Sequence, residues 1–237
     1  MTVKHPNPPT PGQHEGISPG RLAWLGVTLG LLALPALLVD RQLAAWIGTW
    51  DKETTLLKIA DIFQYPGSFP VVLGSGVLIL LVDRGARRKM LRLGAALVTA
   101  ELVGGVLKAV FSRQRPSDFD PGQGIGSSFP GFFHSLTQDN QGVSLLERSL
   151  GGFPSGHVTC AVVAAIGLGW LYPRRRWLFL AIPLLVALQR LALEHHFLSD
   201  LCAAGAVGSL ATSLLLGSHR LGRWFDGFEQ QGSIPPD

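Results

Sequence analysis

The chain has 237 residues, 47% of them hydrophobic and only 15% charged, where an ordinary soluble domain carries about a quarter charged residues. With a mean hydropathy of +0.30, this balance argues against a typical water-soluble domain and for a single membrane-embedded helical bundle. The net charge of +4 does not call for a nucleic-acid partner, because the basic residues fall in short clusters between apolar segments, as membrane topology requires.

Residues 1–20 are rich in Pro and Gly without apolar periodicity and read as a disordered tail. The pattern is not that of a signal peptide, since the first apolar run starts late and no clean small-residue cleavage site follows it. That run, residues 22–39, is long enough to span a bilayer, with Pro35 as a candidate kink. Residues 41–64 mix Trp46 and Trp50 with Arg41, Asp51, Lys52, Glu53 and Lys58, the composition of an amphipathic interfacial helix.

A second span is expected over 67–82, followed by the cluster Arg84, Arg87, Arg88, Lys89 and Arg92. The third, 93–111, carries Glu101 and Lys108 among apolar neighbours. The polar stretch 112–153 is long for a structureless loop, which favours a lid or binding role. The fourth span covers 155–172 and ends in the basic turn Arg174 to Arg176; the fifth covers 177–193 and the sixth 201–216. Small residues such as Gly104, Gly105, Gly167, Gly205 and Gly208 suit close helix packing in lipid. Cys160 and Cys202 lie within spans and read as buried thiols.

The expected fold is therefore all-α: a polytopic bundle of six transmembrane helices with an interfacial helix and a long extracytoplasmic loop. A tail (1–20), a membrane domain (21–218) and a cytoplasmic C-terminal tail (219–237) make up the chain. With the N-terminus inside, the clusters at 84–92 and 174–176 face the cytoplasm. Lys108, His157, Arg190, His196 and Asp200 then share the opposite, extracytoplasmic face.

Three stretches at that face carry chemistry. Lys108 ends the third span, and Arg115 follows it before Pro116. A point charge and a planar fork can hold an anion between them, although a snorkelling lysine above a polybasic loop has the same composition. Pro154-Ser155-Gly156-His157 opens the fourth span. A helix start offers free N–H groups and a positive dipole end, Ser155 adds a hydroxyl, and His157 is placed for proton transfer. The third stretch runs from Arg190 to Asp200. If it is helical, His196 and Asp200 lie one turn apart on one face, and the carboxylate can fix one ring nitrogen as N–H and leave the other free to attack. A capped helix start at Asp200 with two interfacial histidines is the plainer reading of that stretch alone.

Together, K-x6-R-P, P-S-G-H and R-x5-H-x3-D resemble the type 2 phosphatidic acid phosphatase superfamily, which includes bacterial membrane lipid phosphatases, glucose-6-phosphatase and vanadium haloperoxidases. The resemblance covers roughly residues 65–215. It implies that Lys108, Arg115 and Arg190, with Ser155 and the Gly156 backbone, bind phosphate. His196 is then the nucleophile that forms a phosphohistidine, Asp200 orients its ring, and His157 protonates the leaving oxygen and later activates water. Gln189 stands where the family usually has serine, and an amide there can still donate to a phosphate oxygen. No metal or other cofactor is expected, since the cations and the helix start provide the clamp. The expected partners are the bilayer and a phosphorylated lipid, with isoprenyl (undecaprenyl) diphosphate or phosphatidylglycerol phosphate favoured. A lipid phosphotransferase sharing the intermediate is the alternative; a transporter would place its charges deeper in the spans.

Overall fold

The computed structural model describes residues 18–133, 151–217, 224, 225 and 227. The expected disorder of 1–17, the loop segment 134–150 and most of the C-terminal tail lie outside the described residues. Among those described, every regular element is helical: α1 (Pro19–Gly48), α2 (Thr55–Ala60), a 3-10 turn (Asp61–Gly67), α3 (Phe69–Val82), α4 (Arg87–Phe111), α5 (Gly156–Leu171), α6 (Arg176–Phe179), α7 (Ala181–Ala192) and α8 (Leu198–Leu216).

Three helical stretches are individually long and apolar enough to cross a bilayer: Pro19–Gly48, Arg87–Asp118 and Leu198–Leu216. The bent pair Thr55–Gly67 and Phe69–Val82 makes a fourth if counted as one span. α5 is apolar but shorter, and the fifth expected span is broken into α6 and α7 at Leu180.

α8 is the central helix. Its span is 78% buried inside the protein, against 17% for α1, and α1, α4 and α5 all pack against it. Small residues allow this: a side-chain carbon on Gly205 would meet Leu29 at 2.9 Å, and one on Gly208 would meet Val162 at the same distance. Gly104 and Gly105 do not share this role, since nothing lies within 4 Å of either position. The outer face of α1 exposes Trp24, Leu31, Leu34 and Leu38, as a lipid-facing surface does.

Several boundaries differ from the sequence reading. α1 does not end near 39 but continues to Gly48, because residues 40–48 remain good helix formers whose inner face is buried at Asp40, Ala44 and Ile47. The stretch from Arg190 to Asp200 is not one helix. α7 ends at Ala192, Glu194 adopts a left-handed backbone (φ 56°), and α8 begins only at Leu198. The carbonyl of Arg190 accepts the N–H groups of both His195 (3.0 Å) and His196 (3.3 Å), which folds this turn back on the helix end.

At the opposite end, the Tyr172 hydroxyl donates to Asp83 at 2.9 Å, joining the α3–α4 and α5–α6 turns. Arg92, grouped in the sequence with the solvated cluster, is instead buried, its guanidinium 5.6 Å from the Trp170 ring and 5.5 Å from that of Phe225. Phe225, assigned to a cytoplasmic tail, belongs to the core with Ala96, Leu97, Val163 and Leu215.

Candidate active site

The ends of α4 and α7 and the starts of α5 and α8 meet at one end of the bundle. α4 stops because Ser112 turns left-handed (φ 43°). The chain then runs extended through Arg115 to the buried Pro116, and the Ser117 N–H is tied to the Glu194 carbonyl at 3.2 Å, beside the histidines. α5 starts at Gly156, with Ser155 fully buried at its cap position. Gly156 lies close to the Lys108 head group: a side-chain carbon there would be 3.2 Å from Lys108 Nζ and 3.9 Å from Glu101 Oε2. The Lys108 ammonium thus sits on the first turn of α5. Glu101 accepts a hydrogen bond from Cys160 Sγ at 3.1 Å.

His196 is buried (4% exposed). Its Nδ1 is 2.7 Å from the Gly152 carbonyl oxygen, and a carbonyl only accepts. Nδ1 therefore carries the proton, and Nε2 holds the free lone pair. Burial depresses the pKa of this ring well below the ordinary imidazole value. The Gly152 bond opposes that shift, while the charges of Arg115, Arg190 and Lys108 reinforce it. All three expected phosphate ligands therefore act on the proposed nucleophile, which stays neutral at physiological pH. His195 is held at a pKa of about 4, by burial first and then by Arg190 and Arg115, with Asp61 opposing.

Asp200 does not orient His196 in the way the sequence implied. Its Oδ2 is 3.8 Å from His196 Nδ1 and accepts the Phe197 N–H at 2.8 Å, so it caps α8. Its Oδ1 accepts from Arg113 Nη1 at 2.5 Å. Arg113 reads in the sequence as one more extracytoplasmic loop charge, yet it is fully buried between two carboxylates. Nη2 donates to Asp40 Oδ2 at 2.9 Å, Nη1 also to Ser199 Oγ at 2.6 Å, and Nε to Ser128 Oγ at 3.3 Å. The rings of Phe197 (4.2 Å) and Phe129 (4.6 Å) enclose the guanidinium.

Arg190 donates from Nη2 to Gln64 Oε1 at 3.2 Å. Gln64 in turn donates to Asp61 Oδ1 at 2.9 Å, and Gln189 Nε2 donates to the same oxygen at 3.0 Å. Gln189 thus spends a donor on Asp61 and supports the turn beneath Arg190. Asp61 and Gln64 are site residues that the motifs do not contain; a carboxylate and an amide at the end of an apolar segment were the available signal. Two buried donors at the site, Ser155 Oγ and Arg190 Nε, have no hydrogen-bond partner among the described residues. Buried polar groups are ordinarily satisfied, so both fit a site built for an acceptor such as a phosphate oxygen. No group of three or more His, Cys, Asp or Glu among the described residues could hold a metal ion.

Apolar helices of membrane-spanning length, with cations gathered around a neutral histidine at one end of the bundle, define the class of the protein: a helical bundle with a cationic, histidine-bearing end. The chain matches the PAP2 superfamily over residues 89–222 and belongs to that family. That membership supports a phosphoric ester hydrolase. No curated protein and no solved structure matches the chain.

Proposed function

We propose that the protein is an integral-membrane lipid phosphatase that crosses the bilayer six times, its site facing the extracytoplasmic side. It removes a phosphate from a lipid monoester or diphosphate, with isoprenyl diphosphate or phosphatidylglycerol phosphate favoured. The observation that carries this reading is the pair of buried donors, Ser155 Oγ and Arg190 Nε, without a hydrogen-bond partner among the described residues, beside a His196 ring that feels the charges of Lys108, Arg115 and Arg190. Phosphoryl transfer needs positioning and charge stabilisation more than covalent help from the protein, and these groups supply both.

In this mechanism the His196 Nε2 lone pair attacks phosphorus while the bond to the leaving oxygen breaks, and His157 gives that oxygen its proton. Water then attacks the phosphohistidine, His157 takes a proton from it, and inorganic phosphate leaves as the N–P bond breaks. A lipid tail has a place to lie. An apolar groove of about 680 Å³ runs between α3, α4 and α5 past Phe69, Leu73, Leu97, Val163, Met90 and Leu171. It begins at Pro66, next to Gly67, which packs on the His157 carbonyl.

The test is purified protein assayed against a panel of lipid phosphates, with and without chelator, and with orthovanadate. Phosphate release that survives chelator and is competitively inhibited by vanadate is expected. Release that requires added magnesium would overturn the cationic clamp.

A further inference from the structure

The Arg113 cluster joins Asp200 of the third motif to residues that the motifs do not name, and its charges do not cancel. Asp40 Oδ1 accepts the Ser199 N–H at 3.1 Å; Oδ2 accepts from Arg113 and from the Ser199 hydroxyl. Asp200 Oδ1 accepts from Arg113, and Oδ2 accepts from the Phe197 N–H. All four carboxylate oxygens face donors, the arrangement that suits two ionised groups. Two carboxylates and one guanidinium leave one net negative charge, buried in a cluster whose members are at most 1% exposed.

Two routes connect this cluster to His196. One is the Asp200 carboxylate, 3.8 Å from Nδ1. The other is the backbone: the Arg113 carbonyl accepts the Gly152 N–H at 2.9 Å, and the Gly152 carbonyl holds the ring. The segments are in close contact, since a side-chain carbon on Gly152 would lie 2.8 Å from the Arg113 oxygen. Arg113 thus ties both groups that face His196 Nδ1 to α1.

We propose that Asp40, on a helix outside the family-matched region, is a positioning residue for the reaction: with Arg113 and Asp200 it leaves the single negative charge that balances the positive charge formed on His196. The inference rests on the phosphohistidine reading. When Nε2 bonds to phosphorus and Nδ1 keeps its proton, the ring becomes cationic as the P–O bond breaks and His157 protonates the leaving oxygen. A buried cation needs a fixed countercharge. Without Asp40, the Arg113–Asp200 pair is neutral and supplies none.

Counting charge leads to an outcome that lost packing would not produce. Asp40→Asn keeps the shape of the side chain and removes the net charge. Asp40→Glu keeps the charge while disturbing the packing of this buried position at least as much. Full-length protein would be tested for phosphoenzyme formation from a radiolabelled lipid phosphate by rapid quench, alongside steady-state kinetics and thermal melting.

For Asp40→Asn, labelling and kcat are expected to fall about tenfold or more, the scale of one uncompensated charge in a poorly solvated site, with KM changed by less than roughly threefold. Asp40→Glu should recover most of that loss. A folded Asp40→Asn that labels at the wild-type rate would sink the inference, as would a folded Asp40→Glu no faster than Asp40→Asn. If Asp40→Asn does not fold, a folded Asp40→Glu within about tenfold of wild type supports the inference. An Asp40→Glu variant slower than that overturns it, and so does loss of folding in both, because the cluster then serves assembly alone. Absence of acid-labile label in the wild type would remove the phosphohistidine reading itself, and the inference with it.

Discussion

Each histidine of the site has a different surrounding, and the three should fail differently. His196→Ala should abolish both phosphoenzyme and turnover. His157→Ala should slow both steps by the ~10²–10⁴-fold typical of acid–base catalysis. Given a substrate with a good leaving group, that variant should accumulate an acid-labile, base-stable phosphohistidine, because attack by water still needs a base. His195→Ala should keep substantial activity; label on His195, or label surviving in His196→Ala, would displace the nucleophile assignment. The same rings make stability depend on pH. An unfolded histidine titrates near 6.5, whereas folded His195 does so at about 4 and folded His196 well below its ordinary value. Between those values the unfolded chain binds more protons, so stability is complete above about pH 6.5 and declines as the pH falls toward 4. Melting temperatures taken from about pH 7.5 down to 5 should fall, and His195→Asn should flatten the decline. The motif residues were readable because their spacing alone names them. Asp40, Arg113 and Gly152 were not. Nothing in a linear sequence connects positions 40, 113 and 200, and Gly152 acts through its backbone carbonyl, which every residue possesses.

Among the elements, the 3-10 turn Asp61–Gly67 does more than an interfacial helix would. Residues 41–64 have interfacial composition, and that was legible. That Asp61 and Gln64 turn inward to hold Gln189 and Arg190 was not, because the contact joins residues more than a hundred positions apart. Gln189→Ala should leave Asp61 with one fewer donor in a half-buried setting, at a cost of about 1–3 kcal/mol. Melting in detergent should show the loss, and KM for the lipid phosphate should rise as Arg190 loosens. An unchanged KM would detach this turn from substrate binding. The break at Glu194 was hidden for a related reason: an i, i+4 spacing of His196 and Asp200 suits a helix, but the left-handed turn depends on tertiary contacts. Lys52 is one source of them, donating to the carbonyls of Ile47 (2.7 Å) and Ala192 (3.2 Å) and pairing with Glu194 at 3.2 Å.

For the molecule as a whole, the two ends of the bundle differ in kind. One gathers cations around histidines, and the other carries Arg84, Arg87, Arg88, Lys89 and Arg174 to Arg176 on short turns. On the proposed membrane reading, the positive-inside rule predicts a site on the side away from the cytoplasm. A cysteine in place of the exposed Ser127, in a chain lacking Cys160 and Cys202, should react with an impermeant thiol reagent in intact cells. Reaction only after the cells are opened would invert the topology. α3 adds a different kind of constraint. It buries none of its residues against the other described residues, while Gly67, just before it, rests on the His157 carbonyl. On the proposed membrane reading, the solvent that completes this helix is part of the working structure, and detergent chain length becomes a kinetic variable. In short-chain detergent, turnover should drop while helical circular dichroism is retained, and reconstitution into bilayers of matching thickness should restore it. Equal rates in both media would mean that α3 is held in place by the protein alone.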